Sequence, residues 1–193
     1  AIGRGKRLQA VRDGFGARGR TLTLASQVDL ALDALERDIS QTVMLSTRLA
    51  WDTHTAIEDQ AGFHETTFAG LSQLLAGLAT RAGRSAGTKM IDDTTVICLS
   101  EFSRTPKLNA NGGKDHWPVT SAMVMGAGIR GGHAYGATSS AMEAVAVDFA
   151  TGRPSATGRV LTSTQFIAGV LKACGVSPEE HLGPTEVFDA FVA

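Results

Sequence analysis

Three short stretches of this chain carry side chains that could do metal chemistry. Asp52-Thr53-His54 places a carboxylate and an imidazole two residues apart, Glu101 follows a long apolar run, and Asp115-His116-Trp117 brings a second carboxylate and imidazole in a polar stretch. Asp, Glu and His are the oxygen and nitrogen donors that Zn²⁺ or Mn²⁺ prefers, with Zn–N at about 2.0–2.1 Å; Ca²⁺ or Mg²⁺ are the oxygen-seeking alternatives. His64, at the start of the next apolar-periodic segment, is a further donor. Asp-x-His alone is short and common, so the weight rests on the conjunction. Each residue also has an ordinary reading: Asp52 as a turn cap, His54 and His116 as hydrogen-bonded loop histidines, Glu101 as the ion-pair partner of Arg104. Asp115 can orient His116, and Arg104 can face an anion.

Donors so far apart in sequence need regular elements to carry them to one place. Lys6 to Gly16 and Ser26 to Ile39 read as helices, the second with Val28, Leu30, Leu32, Leu35 and Ile39 at helical spacing beneath a serine N-cap. Gln41 to Ala50 reads as a buried strand leading to Trp51. From His64 to Ala82 the set Phe68, Leu71, Leu74, Leu75 and Leu78 predicts another helix, ending at Gly83. Thr94 to Ser100 is a β-branched apolar run suited to a strand covered on both faces. The polar stretch from Glu101 to Pro118 reads as a long functional loop. Val119 to Met125 reads as a strand, Gly126 to Tyr135 as a glycine-rich hairpin, Ala144 to Asp148 as a short strand, and Ser163 to Gly175 as a last helix. Strands alternating with helices predict a single α/β domain over residues 1–193, with a mostly parallel sheet and helices on both faces. In such sheets ligands bind beyond the carboxyl ends of the strands, where Asp52, Glu101 and the segment 115–117 would fall.

Composition narrows the function classes. The chain has 193 residues, 43% of them hydrophobic, enough for one sizeable core. A formal net charge of −1 and the absence of long like-charge runs argue against nucleic acid as a partner. The densest basic stretch, Gly3-Arg4-Gly5-Lys6-Arg7 continued by Arg12, Arg18 and Arg20, reads as a solvated face. No stretch reaches the roughly 20 apolar residues of a membrane span. Cys98 and Cys174 lie in apolar runs and read as small buried hydrophobes. The chain opens on Ala-Ile-Gly rather than Met, which suggests the C-terminal part of a longer protein.

The string Ser100-Glu101-Phe102-Ser103-Arg104-Thr105-Pro106, then Asn109, then Asn111-Gly112-Gly113-Lys114-Asp115-His116-Trp117, resembles the signature of the DUF1501 family. Trp51-Asp52-Thr53-His54 with Gln60, and Gly126-Ala127-Gly128-Ile129-Arg130-Gly131-Gly132 with Tyr135-Gly136, resemble further blocks of that family, so the likeness spans roughly residues 40–175. Ser103 stands where the family has Gly, and Lys114 where it has Arg. The family is similar to the alkaline phosphatase and sulfatase superfamily. That resemblance implies an alkaline-phosphatase-like fold of which this chain holds the C-terminal half, two divalent metals, and a nucleophile carried by the N-terminal half. It makes Asp52, His54 or His64, Glu101, Asp115 and His116 candidate ligands, and Arg104 and Lys114 candidates for neutralising the anionic oxygens of a small phosphate or sulfate ester or an anionic glycan. Relatives carrying a twin-arginine export signal imply a periplasmic or exported location.

Gly126, Gly128 and Gly131 match G-x-G-x-x-G, but the turn-rich residues that follow open no helix, so the match is read as a turn or close backbone approach rather than a dinucleotide site. His133 and His181 read as surface residues. The expected function is a metal-dependent hydrolase of phosphate or sulfate esters, with a non-catalytic binding or scaffold protein of the cell envelope as the alternative.

Overall fold

The computed structural model describes Gln9 and residues 22–193. The expected helix from Lys6 to Gly16 lies outside the described residues, apart from Gln9, which is helical and exposed. The basic stretch near the start lies outside them as well. The chain divides between Asp93 and Thr94 into two compact units.

In the first unit, α1 spans Leu24–Glu36. Its N-cap is Thr23, whose hydroxyl accepts from the Ser26 amide at 3.2 Å, so the helix begins before the expected serine cap. Val28, Ala31, Leu32 and Ala34 form its buried stripe. Helix α2 spans Asp59–Thr80, starting earlier than its apolar periodicity indicates, and buries Gly70, Leu74 and Leu78. Gly70 and Gly77 let the two helices approach: a Cβ at either would stand 2.3 Å from the side chain of Leu24 or Leu32. Polar ties close the edges of this contact, Gln73 Nε2 donating to Asp29 Oδ1 at 2.9 Å and Arg81 Nη1 to Asp33 Oδ1 at 2.7 Å. A 3₁₀ turn at Met90–Asp92 buries Met90.

Residues 41–50 do not form the expected buried strand. Half-buried and exposed positions alternate along them, as in extended chain, and Met44 is 93% exposed. The Gln27 amide takes the place of a neighbouring strand: its Oε1 accepts from the Ser46 N–H at 3.0 Å and its Nε2 donates to the Ser46 carbonyl at 2.9 Å.

In the second unit, β1 (Thr95–Leu99) pairs antiparallel with β4 (Ala122–Gly126), with Ile97 opposite Val124. Between them β2 (Ser103–Arg104) and β3 (His116–Trp117) form a second antiparallel pair. Helix α3 spans Ser163–Ala173, and a five-residue helix α4, Pro178–Leu182, follows it. The core gathers Val147, Phe188, Ala190 and Phe191, with Phe149, Phe166 and Val170 packed around them.

The expected mostly parallel α/β sheet with helices on both faces is therefore not the fold. Among the described residues, two sheets of two antiparallel strands each take its place. A parallel pair needs a crossover of a dozen or more residues, commonly a helix, and the chain between β1 and β4 holds only the β2–β3 pair and turns. The apolar run of β1 is not covered on both faces either: Val96 is buried, whereas Ile97 and Leu99 are 38% and 58% exposed. Ala144 to Asp148 makes isolated bridges at Ala144 and Val147 rather than a strand, and the expected hairpin over Gly126 to Tyr135 is a turn followed by a bridge from Ile129 to Val192. Gly128, at φ 72°, packs so closely on α3 that a Cβ would stand 2.3 Å from the Ala173 carbonyl oxygen, which accounts for one of the three fingerprint glycines.

Candidate functional site

In the first unit Trp51, Asp52, Thr53 and His54 run through successive tight turns, Thr53 N–H donating to the Trp51 carbonyl and His54 N–H to the Asp52 carbonyl at 2.9 and 3.1 Å. Residues 41–50 before them form no strand, so Asp52 does not sit at a strand's carboxyl end. The start of α2 anchors the loop instead. Gln60 Nε2 donates to Thr53 Oγ1 at 2.8 Å, and the indole of Trp51 meets the rings of Phe63 and His64 edge-on at 5.4 and 5.0 Å. The indole N–H donates to Thr47 Oγ1 at 2.8 Å.

Trp51 and Thr53 are thus held against α2, while Asp52 is exposed and His54 half-buried, with Asp52 Oδ1 and His54 Nε2 3.0 Å apart. Two ligands on one cation at about 2.1 Å stand about 3.0 Å apart at a right-angle bite and about 3.4 Å apart at a tetrahedral one. The observed separation fits a shared cation with a right-angle bite, and equally a hydrogen bond from a protonated Nε2. His64 is exposed, its ring set against Trp51 and stacked 6.1 Å from Phe68.

In the second unit the β2–β3 register sets Arg104 opposite His116 and Ser103 opposite Trp117. The expected long loop is thus pinned at its base by a two-residue ladder, and residues 105–115 between the strands remain loop. Its turn is built on Asn109, whose Oδ1 accepts from the amides of Asn111 and Gly113 and whose Nδ2 donates to Asp115 Oδ1 at 3.0 Å. The ring of Phe102 stacks on His116 with centroids 4.1 Å apart, and the Arg104 guanidinium carbon lies 5.8 Å from the centroid of the same ring. Arg104 Nη1 donates to the Lys114 carbonyl at 3.2 Å. Glu101 is exposed just beyond β1, and among the described residues its carboxylate has no hydrogen-bond or ion-pair partner, so the expected pair with Arg104 is not made.

Within the first unit the structure brings Asp52 to His54, and within the second it groups Arg104, Lys114, Asp115 and His116 on one hairpin. In the sequence Gln60, Thr53, Phe102 and Asn109 figured only in the family resemblance, with no role at the site; in the structure they hold these groups in place. A polar residue at the start of the helix that follows an Asp-x-His is the signal by which Gln60 could have been found. Cys98 and Cys174 are free thiols, and neither is buried as expected: Cys98 is half-buried and Cys174 exposed. His133 and His181 are exposed, as expected. Among the described residues no helix is long and apolar enough to cross a membrane.

These features define a protein of helices and small antiparallel sheets that displays carboxylate, imidazole and guanidinium groups on anchored turns. Residues 9–184 match the family model described as Protein of unknown function (DUF1501), and the chain belongs to that family. Neither a curated protein nor a solved structure matches it.

Proposed function

We propose that this protein is a metal-dependent hydrolase of phosphate or sulfate esters, with Asp52 and His54 as the central donors and His64, Glu101, Asp115 and His116 as the pool for the rest. The observation that supports it most is the Asp52–His54 pair, an oxygen and a nitrogen donor 3.0 Å apart on the loop that leads into α2. Their donor chemistry suits Zn²⁺ or Mn²⁺. The reaction class comes from the alkaline phosphatase and sulfatase resemblance; the parallel sheet of that superfamily is not part of the proposal.

A bound divalent cation supplies the charge that polarises a phosphoryl or sulfuryl oxygen and favours deprotonation of the attacking hydroxyl or water. Asp52 and His54 would hold it. Arg104, with its guanidinium held over Phe102 and against the Lys114 carbonyl, would bind the anionic oxygens of the ester together with the Lys114 ammonium. In the net reaction water forms the new bond to phosphorus or sulfur, the ester bond to the alcohol oxygen breaks, and the alcohol leaves carrying a proton. No residue of this chain is assigned as nucleophile.

The test is metal analysis of the purified protein together with assays on aryl phosphate and aryl sulfate with added Zn²⁺, Mn²⁺ or Ca²⁺. The parent is expected to bind cation and turn over one ester class, and Asp52→Asn, His54→Ala and His116→Ala to lose most of both. Activity indifferent to all three substitutions, or a protein without cation affinity, would overturn the proposal. Cation binding without turnover would instead make the chain a binding protein.

A further inference from the structure

Resting on that metal reading, we infer that Gln60 and Thr53 are positioning residues for the Asp52–His54 donor pair. Along residues 51–54 exposure alternates, with Trp51 half-buried, Asp52 exposed, Thr53 buried at 5% and His54 half-buried. Where successive side chains face opposite ways, whatever holds positions 51 and 53 also sets the direction of 52 and 54.

Both are held from α2. Thr53 is the one buried polar side chain among the described residues, and a buried hydroxyl without a partner is costly. Its oxygen accepts from Gln60 Nε2 at 2.8 Å, and the same amide nitrogen lies 3.5 Å from the Trp51 carbonyl oxygen, at the limit of a hydrogen bond. One side-chain amide at the start of a helix therefore reaches the residues on either side of Asp52. The Trp51 ring, lodged against Phe63 and His64 of the same helix, keeps the loop from swinging about that contact. Gln60 acts through Thr53 and Trp51, and the 3.0 Å spacing of Asp52 Oδ1 and His54 Nε2 is the outcome. Residues that orient metal ligands typically change cation affinity by about tenfold to a hundredfold when removed.

The experiment compares Thr53→Val, which keeps the shape and removes the hydroxyl, with Thr53→Ser, which keeps the hydroxyl, and with Gln60→Ala. One readout needs no metal: the side-chain amide protons of Gln60 in ¹H–¹⁵N spectra should exchange slowly with solvent in the parent and in Thr53→Ser, and quickly in Thr53→Val. The other is titration with Co²⁺ followed by its visible absorption. Affinity should fall about tenfold to a hundredfold in Thr53→Val and Gln60→Ala, and stay within about threefold of the parent in Thr53→Ser. Should Thr53→Val fail to fold, Gln60→Ala alone decides the Co²⁺ arm.

If the Gln60 amide exchanges alike in the parent and both Thr53 variants, or if Thr53→Val and Gln60→Ala bind Co²⁺ as the parent does while His54→Ala does not, the positioning role is refuted and the metal reading stands. If Thr53→Ser loses affinity as Thr53→Val does, the hydroxyl is not the determinant and the inference is equally refuted. A parent that binds no Co²⁺ overturns the metal reading, and this inference falls with it.

Discussion

Gly169 lies in α3 where the helix meets the C-terminal segment, and replacing it by alanine sets two effects of opposite sign against each other. In a helix interior alanine is favoured over glycine by about 1 kcal/mol. Here, however, a Cβ would stand 2.0 Å from the Phe188 carbonyl oxygen and 2.9 Å from Phe191 Cζ, both part of the buried core. The Phe188 oxygen belongs to the backbone, so it cannot turn aside as a side-chain end can. Its segment is further tied down, since the Phe188 amide donates to the Gln165 carbonyl at 3.2 Å. Restoring ordinary contact requires moving helix and segment apart by more than an ångström, at the upper end of the roughly 1–3 kcal/mol that overpacking costs. Gly169→Ala is therefore expected to destabilise the second unit by about 2 kcal/mol net. Gly62, also helical but in α2 with nothing within 4 Å of its Cβ direction, is the internal control: Gly62→Ala should stabilise by about 0.5–1 kcal/mol. Urea unfolding followed by circular dichroism, with amide exchange of α3 to localise the change, measures both. If Gly169→Ala matched or exceeded the parent in stability, the close packing of α3 on residues 188–191 would be wrong.

Two further outcomes follow from individual contacts. Arg81 ties the end of α2 to α1 through Asp33 and Glu36 at 2.7 and 2.8 Å. Partial burial pulls its pKa down, but hydrogen bonds and charge from the two carboxylates outweigh that and raise it, so the guanidinium keeps its charge at every accessible pH. At such a partly exposed site Arg81→Ala should cost about 0.5–1 kcal/mol, and less in 1 M salt, as measured by denaturant midpoints. Asp148 accepts hydrogen bonds at one oxygen from the Thr151 amide, the Thr151 hydroxyl and the Ala150 amide, and these hold its pKa below the usual value. Because the folded pKa is the lower one, its contribution is complete above the unfolded value of about 3.9 and disappears as pH falls through the folded value. Asp148→Asn should lower stability at neutral pH, where the carboxylate's contribution is complete, and flatten the profile below about pH 4, where the parent loses that contribution too, which thermal melts across pH would show.

Residue order alone made local features legible. Helical spacing of Val28 and Leu32, and of Leu74 and Leu78, marked the stripes that α1 and α2 bury, because a period near 3.6 needs no knowledge of the partner. The order of the Trp-Asp-Thr-His and Asp-His-Trp blocks sufficed for the family, since linear spacing is what a family shares. Strand direction and pairing were decided only in three dimensions. An apolar run such as Thr-Val-Ile-Cys-Leu in β1 reads alike beside a parallel or an antiparallel neighbour, and its partner β4 lies beyond an intervening hairpin. Extended chain at residues 41–50 likewise looks like a strand until a side chain, here Gln27, satisfies its backbone in place of a neighbouring strand. The direction in which Asp52 and His54 point was also a tertiary decision. It depends on Gln60 reaching back to Thr53 from the next helix, and a contact between side chains leaves no period in the sequence by which it could have been read.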